Sequence, residues 1–233
     1  PSELFTEESK VSAFGRASYS YDDRYFVTGS IRYDATSKLF KRSDVFPAVS
    51  GAWKLSSEPF FKDVVPAISL FKIRASWGQI GNIASVGRYA YNVKLTESPY
   101  FTYFGNIGQN AIKGVSLQTF QNLGLVWETS QQTDLGFDLN LLNDKLSMTV
   151  DYFIKDTKDL IEEMTVPSVA GIENAPLGNV GKVRNSGWEV GVNWTDKAGA
   201  VTYSIGANFS TLKNEVKNLG DRDYIPHSDQ VRS

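Results

Sequence analysis

The sequence predicts an all-β chain, a segment of an antiparallel transmembrane β-barrel with about eight long strands. Three observations predict it. Apolar and polar residues alternate with period two through about eight separate runs. The runs reach about ten residues, where ordinary strands average about five or six and membrane-barrel strands need about nine to eleven. The links between them alternate, shorter then longer, as the periplasmic turns and extracellular loops of such barrels do.

The elements follow in order. Strand one is read from Val11 to Ser20 and strand two from Tyr25 to Asp34, joined by the tight turn Tyr21-Asp22-Asp23-Arg24. A longer link, Ala35 to Val45, leads to strand three, Phe46 to Leu55. The stretch Ser56 to Ser69 predicts a single helical turn capped by Ser56 or Ser57. It is long for a periplasmic turn. Strand four, Leu70 to Gly78, sets Phe71, Ile73, Ala75 and Trp77 against Lys72, Arg74 and Ser76. A very long link, Gln79 to Ser130, leaves room for short strands of its own. Strand five, Gln131 to Leu141, and strand six, Lys145 to Lys155, form a hairpin through Leu142-Asn143-Asp144. The link Asp156 to Ser186 leads to strand seven, where Trp188, Val190, Val192 and Trp194 oppose Glu189, Gly191, Asn193 and Thr195. Strand eight, Ala200 to Ser210, follows the turn Asp196-Lys197-Ala198-Gly199.

Composition narrows the function classes. Aromatics make up 13% of the 233 residues, with nineteen glycines and two methionines, which suits strands better than helices. The net charge of -2 offers no basic surface for phosphate, so no nucleic acid is expected as partner. Cysteine is absent, which removes disulfides and thiolate metal sites. The single histidine, His227, lies in a polar tail, so neither a histidine zinc site nor a catalytic triad is expected. No cofactor and no enzymatic activity are expected. The longest apolar run, Val64 to Phe71, is broken by Pro66 and Ser69 and falls far short of the ~20 residues of a membrane helix. That leaves barrel strands untouched.

An apolar face of Leu, Val, Ile, Phe, Tyr and Trp fits lipid, and a face of Asp, Asn, Ser, Thr and Gly fits a wet lumen. Trp188 and Trp194 are six residues apart, about 15 Å of membrane depth at a tilt of roughly 40°. Both fall in or near the apolar band, with Trp188 the better girdle residue. Alternation alone also suits a secreted β-sandwich that binds glycans. A small complete eight-stranded barrel is a third reading, but it would place both chain ends in the periplasm, against the parity of the loops.

Four blocks carry a resemblance. They are "FGRASYSYDDRYFVTGSIRYDATSKL" with "FPAVSGAWKLSSEPFF", "FKIRASWGQIGN", "WETSQQTDLGFDLNLLNDKLSMTVDYFIKDTKDLI" and "VPSVAGIENAPLGNVGKVRNSGWEVGVNWT". In this order they resemble the barrel of SusC/RagA-type TonB-dependent outer-membrane transporters of the Bacteroidetes. The resemblance implies a place in the bacterial outer membrane, in contact with its lipid, and TonB-driven import of oligosaccharides or peptides. It also implies a SusD-like surface lipoprotein over the mouth, an N-terminal plug, and a TonB complex engaged through the N-terminal region. No plug or TonB box is found, the last residues "DQVRS" are not an aromatic-ended closing strand, and about eight strands cannot close a 22-stranded barrel. Residues 1–233 are therefore expected to be an internal barrel segment, without plug or closing strands.

Candidate functional residues follow from the faces. Arg74, Asp134, Asp138, Asp151, Glu189 and Asn193 are expected to face the lumen and meet plug, water or solute. The aromatic stretch Tyr100, Phe101, Thr102, Tyr103 and Phe104, read as loop, is a candidate for stacking on a ligand or lipoprotein. Trp127 is expected to be structural. Asp156, Asp159, Glu162 and Glu163 are expected to be a solvated loop face rather than paired catalytic carboxyls. Gly178-Asn179-Val180-Gly181 is read as turn glycines, not a phosphate loop.

Overall fold

The computed structural model describes residues 7–88, 90–104, 110–164, 166–172 and 174–219. Thirteen strands and one α-helix follow in chain order: β1 (Lys10–Tyr21), β2 (Tyr25–Thr36), β3 (Ser43–Lys54), α1 (Pro59–Val64), β4 (Ile68–Asn82), β5 (Lys94–Phe104), β6 (Asn110–Thr119), β7 (Glu128–Leu141), β8 (Leu146–Lys158), β9 (Ile161–Glu163), β10 (Leu177–Asn179), β11 (Lys182–Ala198), β12 (Val201–Ser210) and β13 (Lys213–Asn218). The main sheet runs β1-β2-β3-β4-β7-β8-β11-β12, and β13 also pairs with β11. Every pairing is antiparallel. The eight strands read from the sequence are the eight on this path. β5 with β6 and β9 with β10 form separate two-stranded sheets inside the long links.

The ninth strand is a continuation of the eighth. β12 pairs with β11 from Ala198 back to Glu189, and β13 resumes from Ser186 to Lys182. Ser210 opposite Glu189 and Lys213 opposite Ser186 keep one register, with Thr211 and Leu212 as the junction between the two strands. The Thr211 amide donates to the Trp188 carbonyl at 2.9 Å, and the Trp188 amide donates to Thr211 Oγ1 at 3.0 Å. A Cβ on Gly187 would overlap the Thr211 carbonyl, so this junction sits against a residue with no side chain.

One end of the sheet carries tight connections. Asp22 and Asp23 take positive φ of 53° and 50°, the left-handed conformation that Asp tolerates in primed hairpin turns. Leu142, Asn143 and Asp144 turn β7 into β8 the same way, and Gly199 (φ 64°) turns β11 into β12. The link from β3 to β4 is longer, yet it is folded tightly onto this rim. It contains the 3-10 turn Leu55–Ser57 and α1. Neither helix is capped by a serine side chain, against expectation, and Glu58 takes the N-cap place of α1 with Pro59 after it. Glu58 is 6% exposed and accepts hydrogen bonds from Tyr25 Oη at 2.7 Å, Trp53 Nε1 at 3.0 Å and Arg24 Nη1 at 3.2 Å. The donated Tyr25 and Trp53 hydrogen bonds hold its carboxyl below the ordinary glutamate range, with Arg24 adding to the effect and burial opposing it.

The buried apolar residues gather at the other end. Leu39, Phe46, Ile83, Val86, Leu125, Trp127 and Ile161 form one cluster, with Ala90 and Leu177 against it. All come from the long links or from strand ends beside them. Trp127 is 2% exposed and meets Phe46 edge-on at 5.7 Å. A Cβ on Gly81 would overlap the Phe46 ring, so glycine is what lets the ring in.

Between the two ends lies a single layer. Ile73 pairs with Phe137 and Phe137 with Val150, and Val150 with Val190 and Val190 with Phe209, so these residues share one face. The face remains uncovered, with Ile31 56%, Leu135 56% and Trp188 50% exposed. A soluble domain buries such a face against a second layer. Among the described residues no second sheet packs on it, as the sandwich reading requires. Nor does β1 pair with β12, as a closed eight-stranded barrel requires.

Candidate functional site on the polar face

The opposite face is built by the same registers, one residue out of step. Arg74, Gly136 and Asp151 are in register on β4, β7 and β8. Arg74 Nη2 reaches across the intervening strand to lie 3.0 Å from Asp151 Oδ1. It also lies 3.1 Å from Asp138 Oδ1, and Arg74 Nε approaches Asp138 Oδ2 at 3.0 Å, off the N–H axis, as an ion pair without a hydrogen bond. Gly136 makes this possible. A Cβ there would overlap the Asp151 carboxylate and come within 2.8 Å of the Val150 carbonyl oxygen.

Hydroxyls and amides extend the network. Thr149 Oγ1 donates to Asp138 Oδ1 at 3.2 Å. Ser76 Oγ and Gln132 Nε2 donate to the two oxygens of Asp134 at 2.9 and 2.8 Å. Of the residues singled out from sequence, Arg74, Asp138 and Asp151 form one ion-pair cluster, and Asp134 lies beside it through Ser76. Glu189 stands opposite Asp151 in register, and its side chain makes no hydrogen bond or ion pair among the described residues. Two carboxylates opposite one another repel, and Arg74 on Asp151 offsets this. Asn193 lies further toward the short turns, donating to Thr195 Oγ1 at 3.1 Å and accepting from Ser204 Oγ at 2.9 Å.

A shallow hollow of about 340 Å3 lies next to the cluster. Its floor is one register row of small residues, Ser30, Ala48 and Gly78, with Arg16 at one end and Gln132 and Lys155 at the other. The face thus presents hydroxyls, amides and paired charges to whatever lies against it. Among the described residues no group of acidic or histidine side chains could hold a metal ion, and His227 lies outside them.

Several other readings change. Tyr100, Phe101, Tyr103 and Phe104 were expected in a loop, but their backbone is strand β5, paired with β6. Their side chains lie outside the described residues. Asp156 was expected in a solvated loop. It belongs to β8, is 9% exposed, and is gripped by Arg184 through two 2.7 Å hydrogen bonds. Glu162 and Glu163 are exposed on β9, as expected of a solvated face. Gly181, at φ 91°, is a turn glycine, whereas Gly178 belongs to β10 and lies against Met164.

One residue gave no sequence signal. Asn179 fastens two long links together: its Oδ1 accepts from the Val126 amide at 2.8 Å, and its Nδ2 donates to the carbonyls of Val126 and Asp159, both at 2.9 Å. An asparagine between glycines reads as a turn former, and its partners lie far away in sequence.

Comparison with known proteins fits this geometry. The family profile described as "TonB dependent receptor-like, beta-barrel" matches residues 4–228. TonB-dependent receptor P3 of Formosa agariphila is 34% identical over 226 residues, covering 96% of this chain and 22% of the relative. TonB-dependent receptor SusC of Bacteroides thetaiotaomicron is 28% identical over 240 residues, covering 97% of this chain and 23% of the relative. Among solved structures, a RagAB peptide importer in its closed-closed state superposes with a TM-score of 0.76 at 24% identity, covering 92% of this chain and 23% of that one. The chain therefore spans less than a quarter of the length of these relatives. The uncovered apolar face, the polar face behind it and the profile match over nearly every residue agree: the chain belongs to the TonB-dependent receptor β-barrel family, whose members are outer-membrane receptors and transporters rather than enzymes.

Proposed function

We propose that residues 1–233 form part of the barrel wall of a TonB-dependent importer for oligosaccharides or peptides, with plug and closing strands supplied by the rest of a longer chain. In this reading the polar face lines the lumen. Arg74, Asp134, Asp138, Asp151, Glu189 and Asn193 then meet plug, water or solute, and the long links face the exterior. A SusD-like surface lipoprotein covers the mouth, near the β5–β6 hairpin with Tyr100, Phe101, Tyr103 and Phe104, and the TonB complex acts through an N-terminal region. The observation that carries the reading is the two-faced single layer, with uncovered apolar side chains on one side and the Arg74 cluster on the other. The solved neighbour described as a RagAB peptide importer supports the peptide class, and the relatives named SusC and RagAB support the kind of partner.

Growth of the source bacterium on single oligosaccharide or peptide mixtures tests it. Deletion of the full gene is expected to abolish growth on one class, and loss of TonB to reproduce that defect. Unchanged growth and unchanged uptake of labelled substrates of both classes would sink the proposal.

A further inference from the structure

On the apolar face of β8 and β11, the Tyr152 and Trp188 rings pack with centroids 4.8 Å apart. Toward the long links the same face turns basic. Along β11 it continues through Ser186, Arg184 and Lys182, and Lys158 of β8 stands opposite Lys182. On β13, Lys213 is opposite Ser186 and Glu215 is opposite Arg184, with Lys217 bonded to Glu215 at 2.6 Å. Five cations here meet two carboxylates, Asp156 and Glu215. Asp156 is already held by Arg184 at 2.7 Å and Lys182 at 3.5 Å. Glu215 is held by Lys217 and, at 3.6 Å, by Lys213. The Lys158 side chain has no hydrogen bond or ion pair among the described residues.

Height decides what such a patch can meet. Ser186 and Lys213 lie two residues beyond Trp188, and Lys182 and Lys158 six residues beyond it. At strand rise and barrel tilt this is about 5 to 15 Å above the aromatic pair along the membrane normal. Aromatic rings mark the edge of the hydrocarbon, so the cations stand at headgroup depth. Flexible lysine stems can reach down to a phosphate there. We propose that this patch binds the phosphate group of an outer-leaflet lipid, whose acyl chains lie along Tyr152, Trp188 and Val190. A free phosphate would gain nothing from the half-exposed Trp188 ring, whereas a lipid uses both parts. The site rests on the apolar face meeting lipid, and it is independent of what the lumen transports.

The test uses the full-length protein, taken from outer membranes in mild detergent and examined by native mass spectrometry against added phosphorylated lipid A and its dephosphorylated form. Wild type is expected to retain the phosphorylated lipid and not the other. The triple variant Lys158→Gln/Lys182→Gln/Lys213→Gln is expected to bind roughly a hundredfold more weakly. Lys197→Gln, at the opposite end of β11, is expected to bind as wild type, and Lys158→Arg to keep the lipid. A heat-dependent gel shift verifies that each variant is a folded barrel. Equal retention of both lipids, equal binding by the triple variant, or displacement by millimolar inorganic phosphate would each overturn the proposal. Absence of the protein from the outer-membrane fraction would overturn the membrane reading and this site with it.

Discussion

Arg74 and Asp151 meet at 3.0 Å although a whole strand lies between them. The strand is crossed at Gly136, the one position in that register row without a side chain. Gly136→Val should close the crossing. Its Cβ would collide with the Asp151 carboxylate and the Val150 carbonyl, at a cost of about 1–3 kcal/mol. Gly29→Ala, where nothing lies within 4 Å, is the comparison and should be nearly silent. Urea titration of the refolded full-length barrel measures both, and equal midpoints would contradict the crossing.

Removing the cation tests the cluster itself. Arg74→Met leaves Asp138 and Asp151 facing each other without a counter-charge. The side chains are 26–35% exposed, so solvent screens much of the repulsion, and a loss of about 1–2 kcal/mol is expected. Adding Asp151→Asn should recover part of it. A double variant no more stable than the single one would show that the two groups are not coupled.

Val192 and Asn193 are neighbours on opposite faces of β11. Val192→Arg places a charge toward lipid near mid-band and should cost about 2–4 kcal/mol. Asn193→Arg points toward the polar face and should cost much less. The fraction of full-length protein showing the heat-dependent gel shift reports this, and equal loss from both would reverse or void the assigned faces.

Glu58 makes the short-turn rim sensitive to acid. Its carboxyl is held below its ordinary range by Tyr25 and Trp53, so its contribution is complete above the unfolded value of about 4.3. That contribution is lost as pH falls through the lower folded value. The stability difference between wild type and Glu58→Gln should be constant from pH 7 to about 5 and shrink toward pH 3. Denaturant midpoints across that range measure it. A difference that grows on acidification would contradict the assignment.

Trp127 anchors the cluster under the long links, not the sheet. Trp127→Ala should cost about 3–5 kcal/mol locally, opening the links while the staves stay paired. Limited proteolysis on whole cells should then cut the chain near residues 83–127, with the gel shift of the barrel intact. Global unfolding would place the cluster in the barrel's own core instead.

The staves were legible wherever one face met an apolar environment, because alternation then has a period. Their outer ends were not. β4 runs on to Asn82, beyond the expected end at Gly78, since Gln79 and Gly81 leave the apolar face polar or bare while the pairing to β7 continues. β13 shows no period for the same reason, as Val216 is the one apolar residue of "KNEVKN". On the polar face, the residue types of the Arg74 cluster could be read from the strands. Their meeting could not, because it depends on which strands are neighbours and on Gly136. Asn179 and the Trp127 cluster join segments more than fifty residues apart, and no local pattern encodes that.

The order of the sheet also bears on how the protein is built. Each stave bonds to the one before it, and the hairpins β5–β6 and β9–β10 close within their own links. No strand has to be threaded between two others already in place. Assembly can therefore proceed hairpin by hairpin from a growing edge, and each added stave finds its template already present in the one just laid down.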